Sequence, residues 1–390
     1  MTPTPNRAPR RPTRSAVTLG LFVAACFAAC GPKKPSLADE DSRRPGSDAG
    51  PQFVVDDSAP QCGVLEDGGP CGCLELSILT DLPNLYFVLD RSGSMSENNK
   101  WQTVRTVVAQ TLVKLGPRVS FGVTTYPRAT SSCDAGVEVM PVTQGDAPAG
   151  RSGPAVLRFL SATSGAANGG TPTAGTLRGV MPSLAALSGR TYVVLATDGG
   201  PNCNDAATCD ESTCIPNIEA AAPECQPNKA PNCCTAALLG ATNCLDDAET
   251  ESAVAALKAA GIDTYVIGVP GSGPYAALLD KLAVAGGAAR PTSPRYYRVD
   301  STDAAALEVA LRAIAAKVTA SCELPINPPP ADPTRLNVFF DDVVLPADPV
   351  NGWRYEAGKV TLLGEACQRL TAGEVLGLRV VAGCPTVAPR

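Results

Sequence analysis

The strongest constraint on the fold is a series of short apolar runs that alternate with helical patterns between residues 81 and 320. Runs such as NLYFVLD (84–90) and RTYVVLATD (190–198) are apolar at almost every position, which is typical of strands buried on both faces of a parallel sheet. Further strands are predicted at 118–126, 136–142 and 262–269, and helices at 101–115, 173–187, 251–260, 275–287 and 302–318. This alternation predicts an α/β fold, with a doubly wound, mostly parallel sheet and helices on both faces.

The composition excludes several classes of function. The 390 residues contain no histidine, which excludes Ser-His-Asp and Cys-His nucleophilic sites as well as histidine-based zinc sites. The net charge of −6 gives no basic stripe of the kind that binds nucleic acid, so we expect no nucleic-acid partner.

The first 30 residues have the pattern of a bacterial export signal. Four arginines between positions 7 and 14 precede the apolar run AVTLGLFVAACFAAC (16–30), which is too short to span a bilayer comfortably. The small residues in FAACG resemble a lipobox and predict a lipoprotein signal peptide (1–30) with Cys30 lipidated. Cys26 is the alternative lipidated residue, and an unlipidated secreted protein is a further alternative. We expect a protein that meets the membrane through its lipid anchor only, in the cell envelope, at the outer membrane or cell surface.

The remaining segments differ in composition. Residues 31–60 are rich in Pro, Gly, Asp and Ser and predict a disordered tether. The predicted order after it is a Cys-containing lead-in (61–80), the main α/β domain (81–322), a Pro-rich linker (323–333) and a small β module (334–390).

The cysteines predict disulfide bonds. Beyond Cys30 the chain has 14 of them, an even number without any C-x-x-C spacing, which favours disulfides over metal thiolates in an exported protein. Seven lie within residues 199–249, which predicts a disulfide-stapled insertion. Because seven cannot all pair among themselves, one must bond outside the insertion, and Cys133 is the nearest candidate. In the tail we expect Cys367 to pair with Cys384.

Three segments carry oxygen-bearing side chains near the ends of predicted strands. Asp90 ends one strand and is followed by Ser92 and Ser94, while Asp198 ends another. Thr171 lies between them in the Gly-rich segment NGGTPTAGTL. On its own, D-x-S-x-S also fits a simple turn, because Asp and Ser bond to nearby backbone groups. In open α/β sheets, however, ligands bind outside the carboxyl ends of the strands, so these side chains are candidates for one site.

The order of these segments, D-x-S-x-S, then G-G-T, then strand-T-D-G, resembles the von Willebrand factor A (VWA) domain with its metal-ion-dependent adhesion site, over about residues 81–320. The resemblance implies a Rossmann-like sheet and one bound Mg²⁺, with Mn²⁺ or Ca²⁺ as alternatives. It implies the ligand set Asp90, Ser92, Ser94, Thr171 and Asp198. The hydroxyls would coordinate directly and the carboxylates directly or through water. Thr173 is a rival to Thr171, although we expect it to cap the following helix.

The family resemblance implies a binding function. In this family a partner's carboxylate completes the coordination of the ion, so we expect a protein ligand that offers a carboxylate, or a polysaccharide. The insertion after Asp198 departs from the family pattern, and we interpret it as a lobe that shapes or covers the ion site. The alternatives are a structural or assembly factor of an envelope complex and, less favoured, a metal-dependent hydrolase. We do not expect an enzyme, because nothing resembles a general base beside the ion.

The predicted lipid anchor can be tested with Cys30→Ser. This variant should lose lipid modification and membrane association, because the modified sulfur is removed. Intact mass and membrane fractionation measure both properties. A variant that is still processed and membrane-bound would exclude Cys30 and direct attention to Cys26.

Overall fold

The structure is a computed structural model that describes residues 74–78, 82–128, 133–147, 149–319, 321–372, 374–375 and 377–388. The predicted signal peptide with Cys30, the tether and the cysteines at positions 62, 71 and 73 lie outside the described residues. The assignments made for those segments therefore stay predictions.

The described elements follow the predicted alternation through the main domain. The strands are β1 (Leu74–Glu75), β2 (Ser77–Ile78), β3 (Asn84–Asp90), β4 (Ser120–Tyr126), β5 (Val137–Gln144), β6 (Thr191–Thr197), β7 (Asp263–Gly268), β8 (Tyr297–Arg298), β9 (Glu323–Asn327), β10 (Leu336–Phe340), β11 (Val343–Leu345), β12 (Trp353–Glu356), β13 (Lys359–Leu362) and β14 (Leu378–Ala382). The helices are α1 (Lys100–Leu115), α2 (Pro154–Ala162), α3 (Thr173–Ala185), α4 (Ile215–Glu219), α5 (Asp247–Ala259), α6 (Ala276–Ala285), α7 (Ala304–Val318) and α8 (Gly364–Ala372). Within the described ranges, none of the helices has the length and apolar character needed to cross a lipid bilayer.

Strands β3 to β8 form the central sheet, in the order β5-β4-β3-β6-β7-β8. Neighbouring strands are parallel except β4 and β5, which pair antiparallel at one edge. Helices α1, α2 and α7 cover one face, and α3, α5 and α6 cover the other. The predicted doubly wound α/β fold is confirmed. Because the chain runs outward from β3 to β5 and then returns to β6, its winding direction reverses between β3 and β6.

Strand β3 is buried along its whole length because its side chains enter two apolar layers in turn. Leu85, Phe87 and Leu89 pack beneath α1, α2 and α7. Tyr86 and Val88 pack beneath α3, α5 and α6. This two-sided burial explains the nearly continuous apolar run. The last residue of the strand, Asp90, lies where the parallel strands have their carboxyl ends (the carboxyl edge of the sheet).

A β module combines both ends of the described chain. Strand β1 pairs with β14 in the sheet β1-β14-β10-β11, and β2 pairs with β9 in the sheet β12-β13-β9-β2. Residues 323–327, assigned to the linker from the sequence, form β9 because Leu324 and Ile326 alternate with exposed residues and enter the module core. The module is therefore larger than residues 334–390, and it also contains helix α8.

The β module contacts the central sheet at the amino ends of its parallel strands (the amino edge). Arg118 is buried just before the start of β4. Burial lowers the pKa of Arg118 to about 10, and the nearby carboxylate of Asp341 in the module acts to raise it. Arg312 Nη1, in the second half of α7, donates a 3.0 Å hydrogen bond to the carbonyl of Glu374. The module therefore packs at the amino edge of the sheet, and the carboxyl edge is free of it.

The described disulfides confirm that the insertion is stapled. The bonds are Cys133–Cys203, Cys209–Cys244, Cys214–Cys234, Cys225–Cys233 and Cys322–Cys367. The link from the insertion to Cys133 matches the pairing predicted from the odd number of cysteines. It ties the first turn of the insertion to the segment before β5.

The predicted Cys367–Cys384 disulfide is wrong. Cys367 bonds to Cys322, and Cys384 is bonded elsewhere. Val380 of β14 enters the core shared with α8, and β14 ends two residues later, at Ala382. Cys384 instead packs with Phe339 on the other face. The sheet therefore separates Cys384 from the sulfur on α8.

Non-reducing peptide mapping should recover Cys322 linked to Cys367. Replacing both by serine should lower the free energy of unfolding by about 4 kcal/mol, because the bond closes a loop with a sequence separation of 45. Replacing Cys225 and Cys233 opens a loop with a separation of 8 and should cost less, about 2.5 kcal/mol. A peptide that joins Cys367 to Cys384 would contradict the assignment.

Candidate functional site

Asp90 and Asp198 lie near each other at the carboxyl edge because their strands are neighbours in the sheet. Strands β3 and β6 pair in parallel with Leu89 opposite Ala196. Asp90 directly follows Leu89, and Asp198 follows Ala196 by two residues. Their side chains are buried, with 0% and 2% of Asp90 and Asp198 exposed. The winding reversal falls between these strands, which is where open α/β sheets leave a crevice for ligands.

The two serines of the D-x-S-x-S turn join the carboxylates. Ser94 Oγ donates a 2.8 Å hydrogen bond to Asp198 Oδ1, and Ser92 Oγ lies 3.2 Å from Ser94 Oγ. The turn forms because the backbone N–H of Ser92 donates to Asp90 Oδ1 at 2.8 Å. The simple-turn interpretation is therefore correct locally, but the same turn also brings both hydroxyls to the aspartates.

Thr171 reaches the site from the Gly-rich loop. The N–H of Gly93 donates to the carbonyl of Gly169 at 2.8 Å, which joins this loop to the serine turn. A Cβ placed on Gly199 would lie 3.8 Å from Ser94 Oγ and 4.0 Å from Thr171 Oγ1, so the two hydroxyls flank the same backbone position. Within the described part of the chain, Thr171 Oγ1 has no hydrogen-bond partner. It is available to a ligand.

Thr173 does not cap helix α3 as predicted. Pro172 occupies the N-cap position, without a side-chain cap, and Thr173 is the first helical residue. Its hydroxyl donates a long, 3.4 Å hydrogen bond to the carbonyl of Thr171. The buried Thr173 therefore supports the Gly-rich loop from within.

Lys100 is a charged residue of the site that the sequence pattern did not identify. Its Nζ lies 2.7 Å from Asp198 Oδ2 and 3.5 Å from Glu97 Oε2. Asn98 and Asn99 adopt positive φ angles of 49° and 58°, which asparagine tolerates, and turn the chain into α1 directly before the lysine. A lysine at a helix start opposes the helix dipole, and this was the one sequence signal that could have singled it out.

Asp90 is enclosed by donors from the protein. Its Oδ1 accepts from Ser92, and its Oδ2 accepts a 2.5 Å hydrogen bond from Thr197 Oγ1. Burial, reinforced by the negative charge of Asp198, raises the pKa of Asp90 to about 7 in the metal-free protein, although the hydrogen bonds act in the other direction. A cation in the site would favour the ionised carboxylate and release this proton.

The Cys-rich insertion holds the Thr171 loop from outside. The N–H of Thr171 donates to Asn202 Oδ1 at 2.7 Å, and the N–H of Asn202 donates back to the carbonyl of Thr171 at 2.9 Å. The next residue, Cys203, is bonded to Cys133. The insertion thus forms part of the rim of the site and restrains one of its hydroxyl-bearing loops.

The donor set fits a hard divalent cation. Hydroxyl and carboxylate oxygens suit Mg²⁺, Mn²⁺ or Ca²⁺ and suit soft metals poorly. The hydroxyls of Ser92, Ser94 and Thr171 would hold such an ion directly. Asp90, whose two oxygens each accept one hydrogen bond and keep a second lone pair, would act directly or through bound water.

Comparison with known proteins shows only remote likeness. No protein-family model matches the sequence, and no curated protein matches it. The chain is similar to the pilus adhesin SpaC from Lactobacillus rhamnosus GG, at 15% identity and a TM-score of 0.45, over 79% of this chain and 40% of SpaC. This chain therefore spans about two fifths of the length of that adhesin.

The chain is also similar to two other solved structures. A von Willebrand factor type A protein from Catenulispora acidiphila is 13% identical over 79% of this chain and 59% of its own, with a TM-score of 0.38. Manganese-loaded TRAP protein from Plasmodium vivax is 16% identical over 61% of this chain and 76% of its own, with a TM-score of 0.35. Because these identities and TM-scores are low, the candidate site is assigned from the strand order of the sheet and from the geometry of the side chains.

The free energy of unfolding of the metal-free protein should fall as the pH rises from about 5 to about 8. Asp90 keeps its proton to about pH 7 when folded, whereas an unfolded aspartate loses it near pH 4. The folded state therefore binds more protons in this window and loses stability as they are removed. Asp90→Asn cannot ionise and should remove the part of this dependence that Asp90 causes. The part caused by Glu75, whose burial also raises its pKa to about 7, should remain.

Denaturant unfolding in metal-free buffer across this pH range measures the effect. Asp303→Asn changes an exposed aspartate at the N-cap of α7 and should keep the wild-type dependence. An Asp90→Asn protein with the full wild-type slope would show that Asp90 is not the titrating group.

Proposed function

We propose that this protein is a cell-envelope binding protein with an adhesive role, whose VWA-like domain binds a divalent cation and, through it, an acidic partner. The observation that supports this is the convergence of oxygen-bearing side chains from three separate segments at the carboxyl edge of β3 and β6. These side chains are Asp90, Ser92, Ser94, Thr171 and Asp198. Few protein groups would coordinate the ion directly, so an octahedral ion would keep open positions for water or a ligand.

The partner class follows from those open positions. A carboxylate on a protein, or an acidic group on a polysaccharide, would complete the coordination of Mg²⁺, Mn²⁺ or Ca²⁺. The β module contains the start of the described chain. It contacts Arg118 and Arg312, at the end of the sheet opposite to the site. A large partner can therefore approach the site without meeting the module. Anchoring through Cys30 would hold the protein in the cell envelope, at the outer membrane or the cell surface.

A binding role is favoured over hydrolysis because both carboxylates of the site are buried, so neither reaches outward to a substrate as a general base. Both oxygens of Asp90 accept hydrogen bonds, from Ser92 and Thr197. Both oxygens of Asp198 are likewise engaged, by Ser94 and Lys100. A general base must reach the proton that it removes, and histidine is absent from the sequence. We therefore propose that the protein has no enzymatic activity.

One observation favours a second candidate, an envelope assembly factor in which the ion site is secondary. The ammonium of Lys100 already neutralises Asp198 at 2.7 Å, so the site can persist without a metal. Affinity capture from envelope extracts, with Mg²⁺ and again with EDTA, separates the two roles. A cation-dependent binding protein should lose its partner in EDTA, whereas an assembly factor should retain it.

Ser94→Ala should weaken Mn²⁺ binding at least tenfold, because it removes a hydroxyl that both faces the ion site and donates to Asp198. Isothermal titration with Mn²⁺ measures the change, and circular dichroism confirms folding. Ser96→Ala is the matched control on the same turn. The hydroxyl of Ser96 is exposed and donates to the carbonyl of Gly93, so its loss should leave Mn²⁺ binding unchanged.

Two results would contradict the proposed function. One is a wild-type protein that binds no Mn²⁺. The other is a folded Ser94→Ala protein that binds Mn²⁺ as tightly as the Ser96→Ala control.

A further inference from the structure

Lys100 is enclosed beside the ion site. Only 6% of its side chain is exposed, and its Nζ lies 2.7 Å from Asp198 Oδ2. The loop that follows β7 passes over this ion pair at Gly271, where φ is +110° and a Cβ would lie 3.2 Å from Nζ. A glycine is required there, because its backbone conformation and the close approach both disfavour a side chain. The fold therefore closes over the ammonium rather than leaving it in solvent.

The ion pair leaves the hydroxyl side of the site open. Asp198 Oδ2 accepts from Lys100, while Oδ1 accepts from Ser94 at 2.8 Å. Arg91, the cation next to the first aspartate, is directed elsewhere, because its Nη2 donates to the carbonyl of Pro127 at 3.2 Å. Lys100 and a cation held by the hydroxyls can therefore be present together.

The formal charges of such a site do not cancel. Among the buried groups, ionised Asp90 and Asp198 contribute two negative charges, and Lys100 contributes one positive charge. The carboxylate of Glu97 lies 3.5 Å from Lys100, but its side chain is 67% exposed, so solvent screens its charge. A divalent cation would then leave one positive charge in excess. Because charges interact more strongly inside protein than in water, this excess disfavours the cation alone and favours an anion beside it.

We propose that Lys100 determines the ligand specificity of the site, by weakening the binding of the cation alone and coupling the cation to a monoanionic ligand such as a carboxylate. This inference rests on the cation-dependent binding proposed above. The coupling is reciprocal, so an anion that is bound with the cation must tighten binding of the cation by the same factor. Lys100 acts through charge and need not touch the ligand.

Isothermal titration with Mn²⁺ tests this in the wild-type protein and in Lys100→Met, which keeps most of the bulk and removes the charge. The Met variant should bind Mn²⁺ alone about tenfold more tightly, because the repulsion is removed. Sodium acetate, compared with sodium chloride at equal ionic strength, should tighten Mn²⁺ binding severalfold in the wild-type protein. The acetate effect should be smaller in the Met variant.

Lys114→Met is the matched control. Lys114 lies on the same helix, α1, but it is partly exposed and pairs with Glu308 on α7. Its replacement should leave both titrations at wild-type values. Lys100→Gln is a second neutral variant that keeps a donor for Asp198, and it should behave like Lys100→Met. It decides the question if the Met variant does not fold.

The outcomes separate this inference from the proposed function. If wild-type protein binds Mn²⁺ but the folded neutral variants bind it no more tightly, the role of Lys100 is overturned and the proposed function stands. Equal acetate effects in wild-type and neutral proteins also overturn that role. If wild-type protein binds no Mn²⁺, both proposals fail. If neither neutral variant folds even with Mn²⁺ present, Lys100 is a structural residue and the specificity role is rejected.

Discussion

The parallel pairing of β3 with β6 brings two carboxylates, Asp90 and Asp198, to one edge of the sheet with both side chains buried. Buried like charges repel, so the surrounding residues must compensate for them. Thr197 and the backbone of Ser92 donate to Asp90, while Ser94 and Lys100 donate to Asp198. The positions of both serines and of the lysine follow from this requirement.

Much of this arrangement could be predicted from the sequence, because it depends on local patterns. The apolar runs that end at Asp90 and Asp198 identify strands buried on both faces, and parallel strands place their carboxyl ends at one edge. The glycines around Thr171 indicate a tight loop at the same edge. An odd number of cysteines in the insertion required a bond outside it, which the Cys133–Cys203 disulfide provides.

The remaining features depend on contacts that local patterns do not encode. Lys100 looks like an ordinary solvated lysine at a helix start, and only the closure of the loop at Gly271 shows that it is buried. Strands β1 and β2 are too short to show a period, and each finds its partner hundreds of residues away. The pairing of Cys367 depends on which face of a sheet each sulfur occupies, and sequence proximity to Cys384 was misleading.

Anomalous diffraction from crystals grown with MnCl₂ is the most direct test of the central claim, that these side chains form one divalent-cation site. We expect a single strong peak within bonding distance of the hydroxyl oxygens of Ser92, Ser94 and Thr171, with the Lys100–Asp198 ion pair still in place. If no peak appears at these hydroxyls when Mn²⁺ is saturating, these side chains do not form a divalent-cation site.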